Sequence, residues 1–302
     1  MIKKTTVLVL GAGASNEYDF PLDVELRDRI VNDLLGNSPQ RTKLIEMGYT
    51  NEIIDEFRNR LHYSQAPTID SFLAWQKREV IIEIGKIAIA QLLLQIEREG
   101  RLFNPYDHWY KHLINKMNAS CENFNQNNLS VITFNYDRSL DFFINKVLYY
   151  KYDITESECK KMTEMVPIIH PYGKLGSLPF EDKNGIPYGT QEPTIEQLKL
   201  ASKGIRIVSE VQNRDDPEFV KARRLLKNAE RIYFIGFGYN QENMDQLNIS
   251  SSRKGATIIG TAFHMSSTEK GRVVTYFRTK ARNIKLKDIN ANDFIKSIPL
   301  DE

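Results

Sequence analysis

The sequence contains few cysteines, and this scarcity limits the chemistry available to it. Of its 302 residues only Cys121 and Cys159 carry thiols. Two thiols exclude a disulfide framework and any zinc site built from four thiolates of one chain. Sparing use of cysteine is typical of a reducing compartment, so we expect a cytoplasmic protein that holds no zinc.

The sequence also lacks an excess of charge and a long uncharged apolar run. Its 41 basic and 39 acidic side chains leave a formal charge of +2, which argues against direct binding of nucleic acid. The most apolar stretch, residues 80–96, is interrupted by Glu83, Lys86 and Gln91 and is shorter than the ~18 uncharged residues of a membrane span. We therefore expect no membrane partner and an ordinary globular protein.

Short apolar runs without alternation recur along the chain, a pattern typical of strands buried on both faces of a parallel sheet. Segments of helical period separate most of them, which predicts a doubly wound, Rossmann-like α/β fold. We expect one domain over residues 1–302 with about six strands, at Val7–Leu10, Leu129–Phe134, Val166–Ile169, Ile205–Val208, Arg231–Ile235 and Ala256–Ile259.

More than a hundred residues separate the first two predicted strands, far more than one crossover helix needs. Their apolar positions recur at helical spacing, so we predict a helical insertion at approximately residues 40–117. Residues 80–96 within it are apolar on most of the helix circumference. This favours a central core helix, and a subunit interface is the alternative.

A glycine-rich turn, Gly11-Ala12-Gly13-Ala14-Ser15, follows the first predicted strand directly. Glycine permits a tight turn and a close approach of the backbone to a pyrophosphate, so we predict a phosphate-binding turn. A purely structural strand-to-helix turn is the alternative. Asn16 occupies the place of the third glycine of the oxidoreductase fingerprint, which disfavours hydride transfer.

Three further segments bring polar or glycine residues to predicted strand ends. Asn135 and Asp137 follow the second strand, His170 follows the third, and a pair of glycines, Gly236 and Gly238, follows the fifth. The carboxyl ends of parallel strands meet at the edge where ligands bind, and histidine can act there as a general base. The alternatives are a helix-capping aspartate, a buried structural histidine and a simple glycine turn.

In this order the motifs resemble those of the sirtuin family over nearly the whole chain, with Phe20-Pro21 after the first glycine turn. The similarity is greatest to a divergent bacterial branch that includes antiphage NAD-hydrolysing effectors. The resemblance implies that Asn135 orders the ribose or the attacking water, that His170 is the general base, and that Asp137 holds the nicotinamide carboxamide. It assigns NAD binding also to the glycine turns, at Gly11, Ala12, Gly13, Ser15, Gly236 and Gly238.

Departures from the family pattern narrow the expected activity. Deacylating sirtuins usually carry four zinc-binding cysteines, an arginine after the proline and a glutamine before the motif asparagine, whereas this chain has two cysteines, Leu22-Asp23 and Phe134. We therefore predict an NAD hydrolase that uses NAD as its substrate and is gated by homo-oligomerisation or by a partner such as a HerA-type ATPase. The alternatives are a non-catalytic module that senses NAD or ADP-ribose and, less favoured, a zinc-free protein deacylase.

Overall fold

The computed structural model describes residues 1–103, 107–211 and 215–301. Its six strands form one sheet in the order β3-β2-β1-β4-β5-β6, and every neighbouring pair is parallel. The predicted doubly wound α/β fold is thereby confirmed. The strands are β1 (Thr6–Leu10), β2 (Leu129–Thr133), β3 (Ile168–Ile169), β4 (Arg231–Ile235), β5 (Thr257–Thr261) and β6 (Lys285–Lys287).

One of the predicted strands was wrong and another was missed. The apolar run at Ile205–Val208 forms only a single bridge, between Ile205 and Gly173, and then enters a 3-10 turn at Val208–Glu210. Strand β6 escaped detection because two of its three residues are lysines. Charged side chains are common on edge strands, where they prevent further strand pairing, so an apolar pattern is absent there.

Helices cover both faces of the sheet. Among the described residues, eight helices lie between β1 and β2 and seven follow β2. They are α1 (Ala12–Ser15), α2 (Asp23–Asp33), α3 (Pro39–Glu46), α4 (Asn51–Tyr63), α5 (Ile69–Ala74), α6 (Glu79–Ile96), α7 (Glu99–Leu102), α8 (Trp109–Lys116), α9 (Ser139–Tyr152), α10 (Glu156–Glu164), α11 (Ile195–Gly204), α12 (Pro217–Asn228), α13 (Gln241–Leu247), α14 (Ser267–Thr279) and α15 (Ala291–Ser297).

The first strand is buried on both faces, which explains its uninterrupted apolar sequence. Leu8 and Leu10 belong to one apolar cluster and Val7 and Val9 to a second, because successive side chains of a strand point to opposite faces. Both clusters include residues of helices packed on the sheet. The run of β1 therefore reflects two cores, one on each side of the sheet.

The apolar helix α6 lies in the core, as predicted. It contacts α3, α4, α5 and α11, and eleven of its residues are buried. Gly85 allows the close contact with α5, since a Cβ atom at this position would lie 2.5 Å from a methyl carbon of Leu73. The division of these helices into an insertion and a main domain stays a prediction.

Within the described residues no helix has both the length and the apolar character to cross a membrane.

The sheet order places a topological switch point between β1 and β4. Strand β1 pairs with β2 on one side and with β4 on the other, so that Leu10 lies between Thr133 and Ile235. The chain leaves β1 and β4 toward different halves of the sheet, and in doubly wound folds ligands bind in the crevice that this divergence opens.

Candidate functional site

The two glycine turns meet at the switch point. The amide of Gly11 donates to the carbonyl of Ile235 at 3.1 Å, and that of Gly13 donates to the carbonyl of Gly236 at 3.0 Å. Gly236 has a φ of +57°, and a Cβ atom on it would lie 2.0 Å from the nitrogen of Ala14. These glycines are therefore required for contact between the two turns, and the Gly13 amide is already engaged within the protein.

A cavity of about 270 Å³ opens at this edge of the sheet. Four of the predicted site residues line it, namely Gly11, Ala12, Asn135 and Gly238. Its other described lining residues come from the turns after β2 and β4, from helices α2, α5 and α13, and from neighbouring loops: Asp23, Thr68, Asp70, Ser71, Ala74, Trp75, Phe134, Tyr136, Tyr172, Val208, Phe237, Asn240, Glu242 and Asn243. The remaining predicted residues, Gly13, Ser15, Asp137, His170 and Gly236, are not among them.

Asn135 follows β2 and is held in one orientation. Its side-chain nitrogen donates to the carbonyl of Gly11 at 3.0 Å and to the hydroxyl of Ser15 at 2.9 Å. Both amide hydrogens are thus used, and within the described residues the amide oxygen Oδ1 has no protein partner. An asparagine fixed in this way presents a hydrogen-bond acceptor of defined position to a ligand.

Asp137 lies behind Asn135 and anchors it indirectly. Its carboxylate accepts a hydrogen bond from Ser15 Oγ at 2.8 Å, and it also accepts from the amide of Ser139, at 3.1 Å, and from the Ser139 hydroxyl. Burial raises the pKa of Asp137, and the bonds from Ser139 and Ser15 oppose this shift. The structure thus places Asp137 at the start of α9, and its role toward a nicotinamide group stays a prediction.

His170 is buried beneath Asn135, and acceptors face both nitrogens of its ring. Nδ1 lies 3.2 Å from the main-chain carbonyl oxygen of Asn135, and Nε2 lies 3.3 Å from each carboxylate oxygen of Asp141. Only a doubly protonated ring can donate to both partners. In this arrangement neither ring nitrogen is open to a water molecule in the cavity, and the role of general base stays a prediction.

Asp141 joins the histidine to a small charged network. Its Oδ1 atom also accepts from Lys174 Nζ at 2.8 Å, and Lys174 in turn reaches Glu181 at 2.6 Å. Burial alone would raise the pKa of Asp141, but the charges of Lys174 and His170 outweigh burial and hold that pKa well below its usual range. The ionised Asp141 carboxylate therefore fixes the His170 ring.

Three carboxylates of the cavity, Asp23, Asp70 and Glu242, went unpredicted, and we call them the carboxylate wall. The hydroxyl of Tyr136 donates to Asp70 Oδ1 at 2.5 Å. Burial raises the pKa of Asp70. The pKa of Asp23 is raised to about 6, because nearby protein atoms reduce the solvation of its carboxylate and because the negative charge of Asp70 lies close to it. Part of the Asp23 side chain is nevertheless exposed to solvent. No described lining residue is a lysine, arginine or histidine.

The carboxylate wall assembles from helices distant in sequence, which explains why sequence motifs did not reveal it. Asp23 begins α2, Asp70 lies in α5 and Glu242 lies in α13. One signal was available, since Asp23 falls in the segment after Phe20-Pro21 where the similar family carries an arginine. The carboxylate in that segment is one of the departures from the family pattern.

Aromatic side chains complete the cavity. Phe134 and Phe237 contact each other edge to face, with ring centroids 5.2 Å apart, and the hydroxyl of Tyr172 donates to Asn243 at 2.8 Å. Trp75, just after α5, is 63% exposed. An exposed indole at a cavity is suited to stacking against a planar ring.

No protein-family model and no curated protein matches the sequence. Among the solved structures that resemble the chain are three whose alignments each cover 96% of it. A Sir2 homologue in complex with NAD is 13% identical, with 86% of that chain covered and a TM-score of 0.43. Sir2Tm bound to a propionylated peptide is 14% identical, with 90% covered and a TM-score of 0.41.

The third is a mutant of Sir2 homologues in complex with 2'-O-acetyl ADP ribose, 12% identical, with 88% of that chain covered and a TM-score of 0.42. These three structures are of Sir2 homologues, the family that the motifs of this chain resemble. A likeness at this level assigns neither a ligand nor a reaction to the chain. The fold and the cavity define a doubly wound α/β protein with a ligand cavity at its switch point.

Proposed function

We propose that this protein binds NAD and hydrolyses the bond between nicotinamide and ribose. Water adds to the ribose carbon as the nicotinamide leaves, so that NAD and water give nicotinamide, ADP-ribose and one proton. The sirtuin-like order of the motifs supports this activity. The position of the cavity, outside the carboxyl ends of β1 and β4, is where doubly wound folds bind nucleotides.

The fixed side chain of Asn135 is the observation that carries the proposal. Its two amide hydrogens are occupied by Gly11 and Ser15, so its oxygen can accept a hydrogen bond only from a ligand or from water. An acceptor of fixed position can orient a water molecule toward the ribose carbon without costly reorganisation when the bond breaks. Positive charge develops on the ribose as nicotinamide leaves, so a well-placed water needs little further activation.

His170 is the proposed acceptor of the proton that this water releases. In the present arrangement Nδ1 faces the Asn135 carbonyl and Nε2 faces Asp141. The ring must release one of these partners before it can accept a proton. The proposed chemistry therefore requires a local rearrangement around His170 when NAD binds.

Incubation of the purified protein with NAD, followed by chromatography for nicotinamide, ADP-ribose and cyclic products, tests the proposal. Asn135→Ala should abolish nicotinamide release, and His170→Ala should reduce it strongly. Asn125→Ala is the matched control, because Asn125 is exposed and remote from the cavity, and it should retain full activity. Unchanged NAD loss in a folded Asn135→Ala variant would overturn the assignment of Asn135.

A sensing module that binds NAD or ADP-ribose without chemistry is the second candidate. The arrangement of His170 favours it, because that ring is absent from the described cavity lining and acceptors face both of its nitrogens. Calorimetry distinguishes the two candidates. Tight NAD binding with no nicotinamide release under any condition would favour the sensing module over the hydrolase.

The proposal includes control of the activity, because unrestrained loss of NAD would kill the cell that makes the protein. The resemblance to antiphage effectors suggests a role in defence, with gating by homo-oligomerisation or by a partner such as a HerA-type ATPase. Nicotinamide release should then rise when the protein assembles or when the partner is added. A strictly monomeric protein that is fully active alone would contradict this part of the proposal.

A further inference from the structure

We propose that Tyr110 is a positioning residue that fixes the orientation of the Asn135 side chain from behind the cavity, an inference that rests on the proposed role of Asn135. Tyr110 is not among the residues that line the cavity. It acts through a row of hydrogen bonds that we call the Tyr110 relay, and the side chains of the relay are, in order, Tyr110, Ser139, Asp137, Ser15 and Asn135.

Every link of the relay lies within hydrogen-bond distance. Tyr110 Oη lies 2.8 Å from Ser139 Oγ, and the Ser139 hydroxyl donates to the carboxylate of Asp137. On the other side of this carboxylate, Ser15 Oγ donates to it at 2.8 Å and accepts from Asn135 Nδ2 at 2.9 Å. The four side chains behind Asn135 are all buried. Hydrogen bonds within such a network strengthen one another, because water does not compete with them.

The carboxylate of Asp137 sets the direction of the hydrogen bonds. Three donors face its two oxygens, an arrangement that favours the ionised form. Because an ionised carboxylate only accepts, the hydroxyls of Ser139 and Ser15 both spend their single hydrogen on it. The Ser15 oxygen can then only accept, so it faces the amide nitrogen of Asn135 and not the amide oxygen.

By the same count, Tyr110 is the donor at the far end of the relay. The hydrogen of the Ser139 hydroxyl is used on Asp137, so the Ser139 oxygen accepts from Tyr110. Burial raises the pKa of the Tyr110 hydroxyl well above its usual range, so this group keeps its proton. The Tyr110 hydrogen bond therefore strengthens the donor that Ser139 presents to the carboxylate.

Packing fixes the position of Tyr110. Its ring stacks on Tyr18 with the ring centroids 4.2 Å apart, and its centroid lies 5.3 Å from that of Phe143 in α9. The preceding residue, Trp109, donates from its indole nitrogen to the carbonyl of Ala14 at 2.7 Å. The start of α8 is thus tied both to the first glycine turn and to α9, and the Tyr110 hydroxyl is held at one place.

Tyr110→Phe tests the relay, because it removes the hydroxyl and keeps the ring. Without this donor the hydrogen bonds to Asp137 weaken, and the Asn135 amide can turn its nitrogen toward the cavity. We expect kcat for nicotinamide release to fall by about tenfold while KM for NAD changes by less than about twofold, because the orientation of the water is lost and the cavity is kept. Ser139→Ala should reproduce this loss, and the double variant should lose no more than Ser139→Ala alone.

Tyr18→Phe is the matched control. Tyr18 and Tyr110 are both 1% exposed and stack on each other. The Tyr18 hydroxyl lies 3.2 Å from His108 Nδ1 and accepts from the amide of Tyr110 at 3.2 Å, so its removal disturbs the same cluster but leaves the relay intact. We expect a lower midpoint of thermal unfolding with kcat unchanged. Equal losses of kcat in Tyr18→Phe and Tyr110→Phe would show a purely structural role and overturn the proposal.

NMR of the Asn135 side-chain amide, assigned by its absence in Asn135→Ala, tests the relay apart from catalysis. Its two hydrogens are bonded to Gly11 and Ser15, so they should exchange slowly with solvent, faster in Tyr110→Phe and unchanged in Tyr18→Phe. This pattern in a protein that releases no nicotinamide would support the relay and overturn the hydrolase. Unchanged exchange and unchanged kcat in Tyr110→Phe would overturn the relay and leave the hydrolase in place.

Discussion

Nδ1 of His170 lies 3.2 Å from the main-chain carbonyl oxygen of Asn135, so the two predicted catalytic residues are in contact through the backbone of one and the ring of the other. The side chain of Asn135 belongs to the cavity, whereas the histidine lies beneath it. A change at the cavity that displaces the Asn135 peptide would therefore alter a hydrogen bond of His170.

The contact between the glycine turns predicts a large cost for Gly236→Ala. The methyl group would lie 2.0 Å from the Ala14 nitrogen, and the φ of +57° disfavours any side chain. We expect a loss of at least about 2 kcal/mol in the free energy of unfolding, measured by denaturant titration.

Gly271→Ala is the matched control for this prediction. Gly271 lies inside α14, and a methyl group added there would meet open space, so alanine there should be neutral or stabilise by up to about 1 kcal/mol. Equal stability of the two variants would show that the turns can separate without cost.

The buried pair of Arg138 and Glu97 predicts a second large effect. Both side chains are fully buried, and the guanidinium donates to the two carboxylate oxygens at 3.0 and 2.5 Å and to the carbonyl of Ile186 at 2.7 Å. Glu97→Gln leaves a buried cation without its counter-charge, which should cost about 3–5 kcal/mol in unfolding free energy.

The exposed pair of Lys43 and Glu46 serves as the comparison for that measurement. Their charged atoms are 2.8 Å apart at the surface of α3, and Glu46→Gln should change stability by less than about 0.5 kcal/mol. A similar small effect in Glu97→Gln would contradict the importance given to the buried pair.

The lowered pKa of Asp141 predicts how stability changes in acid. Because the folded protein holds this pKa below the unfolded value of about 3.9, the ionised carboxylate contributes stability above that pH, and the contribution is lost as the pH falls below it. Asp141→Asn should therefore lower stability at pH 7 and flatten its decline in acid. Chemical denaturation from pH 7 to pH 2.5 measures the stability at neutral pH and its decline in acid, with the exposed Asp153→Asn as control. If the decline in acid is the same in Asp141→Asn as in the parent protein, the stabilising role of Asp141 beside Lys174 and His170 is contradicted.

Trp75 predicts an effect on binding with little effect on stability. The indole is 63% exposed beside the cavity, so Trp75→Ala should leave the unfolding midpoint almost unchanged. If the indole stacks on a base or on nicotinamide, affinity for that group should fall by about tenfold.

Calorimetry with ADP-ribose and, separately, with nicotinamide identifies which ring the indole contacts. The control is Tyr63→Ala, which removes an aromatic side chain that is 74% exposed and lies outside the cavity. Unaltered affinity for both ligands would exclude stacking.

Sequence patterns predicted most of the sheet because burial leaves a local record. Strands β1, β2 and β4 are largely apolar and are buried at nearly every position, since each lies between two cores. The same logic failed at Ile205–Val208, where apolar side chains are buried without strand pairing. Local hydrophobicity reports burial, but it does not report which backbone groups pair.

That Asn135 follows a buried strand and that glycines follow β1 and β4 can be read from the sequence, because these features depend on near neighbours in the chain. Which groups face the cavity depends on the tertiary structure. In the folded protein the Gly13 amide joins the two glycine turns, and His170 is buried against Asp141. Asp23 and Asp70 reach the cavity from separate helices. Such contacts join residues distant in sequence, and helix packing rather than local pattern sets them.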